Sequence, residues 1–154
     1  MPLDTDQEEK LYIVMLSIHG LIRTENLELG RDADTGGQIL YVLDLAKALA
    51  ENEQVERVDV LTRQVIDPRV DREYAQPSEN ISDKAFLVRV PCGPRRYLRK
   101  ESLWPYLDGF ADQALQHIRR IGRVPDVIHG HYADAGYVSA HLSSVLGVPF
   151  IFTG

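Results

Sequence analysis

The 154-residue chain is long enough for one domain with a buried core, and its 44% hydrophobic and 26% charged residues suit a globular protein. Its net charge of -6 argues against a general nucleic-acid binder, and no apolar run approaches the ~20 residues of a membrane helix. A single cysteine, Cys92, excludes an internal disulfide framework and fits a reducing, cytoplasmic setting. Residues 1–10 read as a polar, acidic N-terminal extension, without the apolar segment of a signal peptide.

The first predicted element is a strand over residues 11–18, Leu-Tyr-Ile-Val-Met-Leu-Ser-Ile, a near-continuous apolar run suited to a sheet buried on both faces. Residues 19–34 form a long charged loop, which is unusual in a compact α/β domain and often functional. A helix opens at Gly36, with Ile39, Val42, Leu43, Ala46, Leu49 and Ala50 on one face. A second strand is expected over 55–62, an irregular excursion over 63–83, and a third strand over 84–90 stopped by Pro91. Residues 92–100 read as a basic loop. A second helix is expected over 101–121, with Pro105 in its first turn, Leu107, Phe110, Ala114 and Ile118 on its buried face, and Gly122 as its stop. A short strand over 126–131, a third helix over 134–146 and a last strand over 148–153 complete the order.

Alternating strands and helices predict an α/β fold: a Rossmann-like, mainly parallel sheet with flanking helices. Ligands of such sheets lie beyond the carboxyl ends of the strands. The segments 19–34, 92–100 and 130–134 all follow strands and are expected to gather there. A strand that reaches Gly154 without a covering loop and helix reads as part of a larger protein.

The stretch Asp34-Thr35-Gly36-Gly37-Gln38 organises this reading. Asp34 and Thr35 sit where an N-cap belongs. Gly36 and Gly37 carry no side chains, so a ligand can approach bare backbone at a helix start, where free N–H groups suit phosphate. His19 follows the first strand and faces the predicted cleft. His131 and Asp134 stand at a strand end before a helix; two such ligands make no metal site. Asp134 is expected to cap its helix, and His131 to hydrogen-bond loop groups. His117 reads as a surface residue of an amphipathic helix. Trp104 and Tyr106 suit sugar stacking, though Trp104 beside Leu103 and Leu107 is more often core.

The run from His19-Gly20-Leu21-Ile22-Arg23 to Asp34-Thr35-Gly36-Gly37-Gln38 resembles the start of the glucosyltransferase region of sucrose-phosphate synthases. Similar in the same order are Val58-Asp59-Val60-Leu61-Thr62-Arg63-Gln64, Lys100-Glu101-Ser102-Leu103-Trp104-Pro105-Tyr106, Ile128-His129-Gly130-His131-Tyr132-Ala133-Asp134-Ala135-Gly136 and Phe150-Ile151-Phe152-Thr153-Gly154. Sucrose synthases resemble the same pattern, especially at residues 34–38 and 103–107.

The resemblance implies a GT-B glycosyltransferase in which residues 11–154 are an incomplete acceptor-binding lobe. It implies fructose 6-phosphate as acceptor, UDP-glucose as donor, retention of configuration, and no metal or other cofactor in the catalytic centre. The catalytic histidine of the family would lie just past Gly154, so no catalytic residue is expected within this chain. Gly36, Gly37 and Gln38 resemble the acceptor contacts, and Lys100 the lysine that meets the acceptor phosphate. A lysine at a helix start opposes the dipole, and a nearby phosphate would explain it. Arg95 and Arg96 add charge to the same loop; with His19, His131 and Asp134 they are further candidate cleft contacts. The resemblance also implies a sucrose-phosphate phosphatase as protein partner. The competing readings are a sucrose synthase-like enzyme and a noncatalytic sugar-phosphate-binding module. A nicotinamide dehydrogenase fits less well, because the first strand lacks Gly-x-Gly-x-x-Gly after it.

Overall fold

A computed structural model describes residues 9–154; residues 1–8 of the expected N-terminal extension lie outside the described residues. Six strands form one sheet: β1 (Leu11–Leu16), β2 (Val55–Arg63), β3 (Ser78–Asn80), β4 (Ala85–Val90), β5 (Val127–His131) and β6 (Phe150–Thr153). Their order across the sheet is β3-β4-β2-β1-β5-β6. All neighbours are parallel except β3, which runs antiparallel to β4. Three helices flank them: α1 (Gly37–Glu51), α2 (Leu107–Ile121) and α3 (Tyr132–Leu146).

The alternation of β1 side chains explains why its sequence is apolar throughout. Tyr12, Val14 and Leu16 pack with Phe110, Ala114 and Ile118 of α2 and with Val138 and Leu142 of α3. Ile13 and Met15 pack on the other face with Ile39, Val42, Leu43 and Ala46 of α1. A central parallel strand covered on both sides has no solvent face to mark with polar residues.

The structure departs from the sequence expectations at four boundaries. The segment 63–83 contains β3 and a short 3-10 turn, Arg72–Ala75. β3 is Ser-Glu-Asn on the sheet edge, so it carries no apolar alternation to read. α2 starts at Leu107 and not at residue 101; two 3-10 turns, Lys100–Ser102 and Trp104–Tyr106, precede it. Pro105 has no N–H to donate to the carbonyl four residues back, so the regular α-helix begins only after it. α3 starts at Tyr132, directly on the end of β5. Finally, neither Asp34 nor Thr35 caps α1: Gly36 is the N-cap and no side chain bonds there. Thr35 Oγ1 instead accepts from the Leu21 N–H at 3.1 Å, and Asp34 turns toward Lys100. Gly122 (φ +80°) and Gly147 (φ +70°) do end α2 and α3 in the left-handed conformation.

Two side chains sit opposite to expectation. His117 is buried, and its Nε2 lies 2.9 Å from Asp59 Oδ2. Trp104 is 49% exposed, with its ring edge-to-face near Tyr137.

Candidate functional site

The loops after β1 and β4 and the start of α3, directly after β5, converge beyond the carboxyl ends of the strands, as a doubly wound sheet requires. They enclose a cleft of about 210 Å3. Its lining includes Gly36, Gly37 and Gln38 at the start of α1, and His19, Asp34, Lys100 and Tyr132 around them. Among the described residues, no group of three or more His, Cys, Asp or Glu side chains is placed to hold a metal ion.

The glycines differ in kind along the loop after β1. Gly20 has φ +81°, and a Cβ there would meet the Asp34 carbonyl oxygen at 2.3 Å. Glycine is required at that position by the fold itself. Gly36 and Gly37 have no such need. Neither has positive φ, and a Cβ on either would meet nothing within 4 Å. Open space over bare backbone N–H groups at a helix start is what a ligand-facing turn offers.

Lys100 is held by carboxylates. Its Nζ lies 2.8 Å from Asp34 Oδ1 and 3.3 Å from Glu101 Oε1, and its backbone N–H donates to Asp34 Oδ2 at 2.7 Å. Burial pushes the Asp34 carboxyl up, but the hydrogen bonds and charge of Lys100 outweigh it and leave Asp34 below the usual carboxylate range. The same pairing raises Lys100 above an ordinary lysine. The lysine at this turn therefore already has a counter-charge, so no phosphate is needed to explain its place. One of its three N–H groups is left for a ligand.

His19 donates from Nδ1 to Asp134 Oδ2 at 2.9 Å, since an ionised carboxylate only accepts. Asp134 is 1% exposed, and its Oδ1 accepts from the Ala135 N–H at 2.7 Å. Asp134 does not cap α3, whose N-cap is His131. It orients His19 instead. With Nδ1 committed, Nε2 remains as the ring atom able to meet a ligand hydroxyl.

The other candidates do not join this cleft directly. Arg95 and Arg96 are exposed and do not line it. Their backbone carbonyls accept from the Ile66 N–H and from Arg63 Nη2. His131 is 1% exposed, and neither ring nitrogen has a hydrogen-bond partner among the described residues. Its expected bonds to loop groups are absent there. Burial and the neighbouring His129, 4.1 Å away between ring centres, push the His131 imidazole down to about 4. Tyr132 was not singled out by sequence. The expected strand over 126–131 and helix over 134–146 leave it in a connecting segment, whereas the structure makes it the first residue of α3.

Comparison with known proteins places the chain. A family model described as the sucrose synthase first GT-B domain matches residues 8–151. The chain is 51% identical over 176 residues to probable sucrose-phosphate synthase 1 of Oryza sativa subsp. indica, an alignment covering 98% of this chain and 16% of that protein. It is 49% identical over 176 residues to the sucrose-phosphate synthase of Zea mays, with 98% and 16% covered. A solved sucrose-phosphate synthase from Thermosynechococcus elongatus has a similar structure, with a TM-score of 0.76 at 25% identity over 93% of this chain and 32% of that one. The chain thus spans only 16% of the length of these two curated relatives. The match over residues 8–151 nonetheless covers nearly all of the chain, which belongs to the family of the sucrose synthase first GT-B domain.

Proposed function

We propose that this chain is the acceptor side of a retaining glucosyltransferase that makes sucrose 6-phosphate from UDP-glucose and fructose 6-phosphate. Residues 11–154 form part of the acceptor lobe, and the donor lobe and catalytic histidine are supplied by sequence outside this chain. The observation that supports this most is the open space over Gly36 and Gly37, two glycines that the backbone does not require. Their N–H groups and the Gln38 side chain hold sugar hydroxyls. Lys100, fixed by Asp34, offers its remaining N–H to the acceptor phosphate. His19, oriented by Asp134, receives a sugar hydroxyl on Nε2.

A second reading takes unphosphorylated fructose as acceptor, as in a sucrose synthase. It is favoured by the description of the matching family model and by the Asp34 carboxylate that already neutralises Lys100. The two are separated by UDP release from the full-length protein with UDP-glucose and either sugar. Release that depends on fructose 6-phosphate is expected. Equal or greater release with fructose overturns the first reading, and release with neither supports a noncatalytic module.

A further inference from the structure

Lys100 is tied to Asp34, yet the same ammonium is the one a ligand in the cleft would use. A second tie between the same two loops lies beside it. Tyr97, in the loop after β4, donates its hydroxyl to Asp32 Oδ1 at 2.9 Å, across 65 residues of chain. Asp32 belongs to the loop after β1. Its Oδ1 also accepts from the Asp34 N–H at 2.9 Å, and its Oδ2 accepts from Thr35 Oγ1 at 3.3 Å. One carboxylate thus closes the turn that runs into Gly36 and Gly37 and fastens it to the loop that carries Lys100.

Tyr97 is also fixed through its backbone. Its N–H donates to Asp67 Oδ2 at 3.0 Å, and the nearby Arg95 carbonyl accepts from the Ile66 N–H at 2.8 Å. The loops after β1, β2 and β4 therefore meet at this one residue. Burial pushes the Asp32 carboxyl up, but the bonds from Tyr97, the Asp34 N–H and Thr35 outweigh it and leave Asp32 below the usual carboxylate range. Tyr97 and Asp32 are both half-buried, and neither lines the cleft. The two ties differ in that respect. A tie that borders the cleft competes with a ligand for Lys100, whereas a tie outside it holds the loops whether or not Lys100 is engaged.

We propose that Tyr97, acting through Asp32, is a positioning residue: it sets the glycine turn against the loop after β4, so that Lys100 can give its ammonium to the acceptor phosphate without releasing the loops. The inference rests on the acceptor reading of this cleft.

The test uses the full-length enzyme with each substrate varied. Tyr97→Phe removes one oxygen and keeps the ring. KM for fructose 6-phosphate should rise roughly fivefold, while KM for UDP-glucose stays within about twofold. The loss should be shared with Lys100, so in a Lys100→Ala background Tyr97→Phe should add less than about twofold. Asp32→Asn keeps the oxygen that Tyr97 and the Asp34 N–H both use, and its KM values should stay within about twofold of wild type. Asp32→Ala removes that oxygen and should lose at least as much as Tyr97→Phe. A merely structural tie would lower Tm, harm both substrates alike and add in full to Lys100→Ala. That pattern overturns the inference, as does a Tyr97→Phe enzyme with an unchanged KM for fructose 6-phosphate. If Asp32→Ala does not fold, Tyr97→Phe with and without Lys100→Ala decides alone. A wild-type enzyme indifferent to fructose 6-phosphate sinks the acceptor reading and this inference with it, a result distinct from active wild type with unaffected variants.

Discussion

Two histidine–aspartate pairs in this molecule have the same 2.9 Å separation and opposite surroundings. In the first, Asp59 of β2 is wholly buried and accepts from three side chains: Tyr12 at 2.6 Å, His117 at 2.9 Å and Arg57 at 2.8 Å. Burial pushes its carboxyl up, yet His117, Tyr12 and Arg57 together hold it below the usual range. The cluster pins α2 to the sheet. In the second, Asp134 is as deeply buried, but its partner His19 borders an open cleft and keeps one ring nitrogen unused by Asp134. A His–Asp pair is therefore no sign of chemistry by itself. What distinguishes the two is whether the pair leaves a polar atom facing space that a ligand can fill.

The sharpest way to break the comparison is to damage the closed cluster. Asp59→Ala leaves Tyr12 and His117 without their buried acceptor and should cost roughly 3–5 kcal/mol. For a domain of this size that lowers Tm by roughly 10 °C. Turnover of the full-length enzyme, measured well below the transition, should stay within about twofold of wild type. A variant with unchanged Tm would show that the cluster is dispensable. The folded pKa of Asp59 is depressed, so its contribution is present above the unfolded value of about 3.9 and lost as pH falls below it. The Tm gap to wild type should therefore hold at pH 5–7 and narrow only in stronger acid.

The open region should respond the other way. Gly37 is the first residue of α1, and a side chain there enters empty space, not protein. Gly37→Val should change stability by less than about 1 kcal/mol, since valine is no worse a helix former than glycine. Displacing the acceptor by an ångström should cost about 100-fold in turnover. Thermal melting and activity on one sample decide this: a sharp fall in Tm would make the glycine structural, and unchanged turnover would place it outside the active site.

His131 lies between these extremes, buried like Asp59 but with no partner among the described residues. Its folded pKa is about 4, below the unfolded value of about 6.5, so the folded state favours the neutral ring. Stability is then full above about pH 6.5, is lost as pH falls, and levels off below about 4. The loss should be on the order of 1–3 kcal/mol. His131→Phe fills the same space without ionising, and its Tm should be nearly flat across that window. An acid limb equal to that of wild type would assign the effect elsewhere.

The architecture was legible because parallel strands buried on both faces and helices with one apolar stripe leave strong periodic signals. The run 11–18 and the face of Ile39, Val42, Leu43 and Ala46 show this directly, as do the stops at Gly122 and Gly147. Pairing across the chain was not legible. Asp34 reads as a cap by local sequence, but its partner Lys100 is 66 residues away. His117 reads as a surface residue from its polarity, although its spacing from Phe110 and Ala114 puts it on the buried face of α2. Asp59, set between Val58 and Val60 in a strand buried on both faces, was the sign that such a partner must exist. The left-handed backbone of Tyr132 has no sequence signal of its own, since tyrosine is the wrong residue for it.

The smallest expected effect sharpens the comparison within the cleft itself. Lys100 resembles a phosphate ligand, yet Asp34 already satisfies much of its charge. Its side chain is 26% exposed, so solvent and salt screen whatever attraction remains. Lys100→Ala in the full-length enzyme should therefore lower kcat/KM for fructose 6-phosphate only about tenfold, at the weak end of a charge-assisted contact. KM for UDP-glucose should not move. The loss should shrink as ionic strength rises, because a screened charge contributes less to wild type. Asp34→Asn acts on the same atoms with opposite sign. It removes the competing carboxylate charge, so the phosphate meets a less neutralised ammonium, and the preference for fructose 6-phosphate over fructose should rise. Steady-state kinetics with both sugars at two salt concentrations separate the outcomes. If Lys100→Ala leaves that preference unchanged and Asp34→Asn does not raise it, the pair is a structural clasp between the loops after β1 and β4, and the phosphate is bound by other residues.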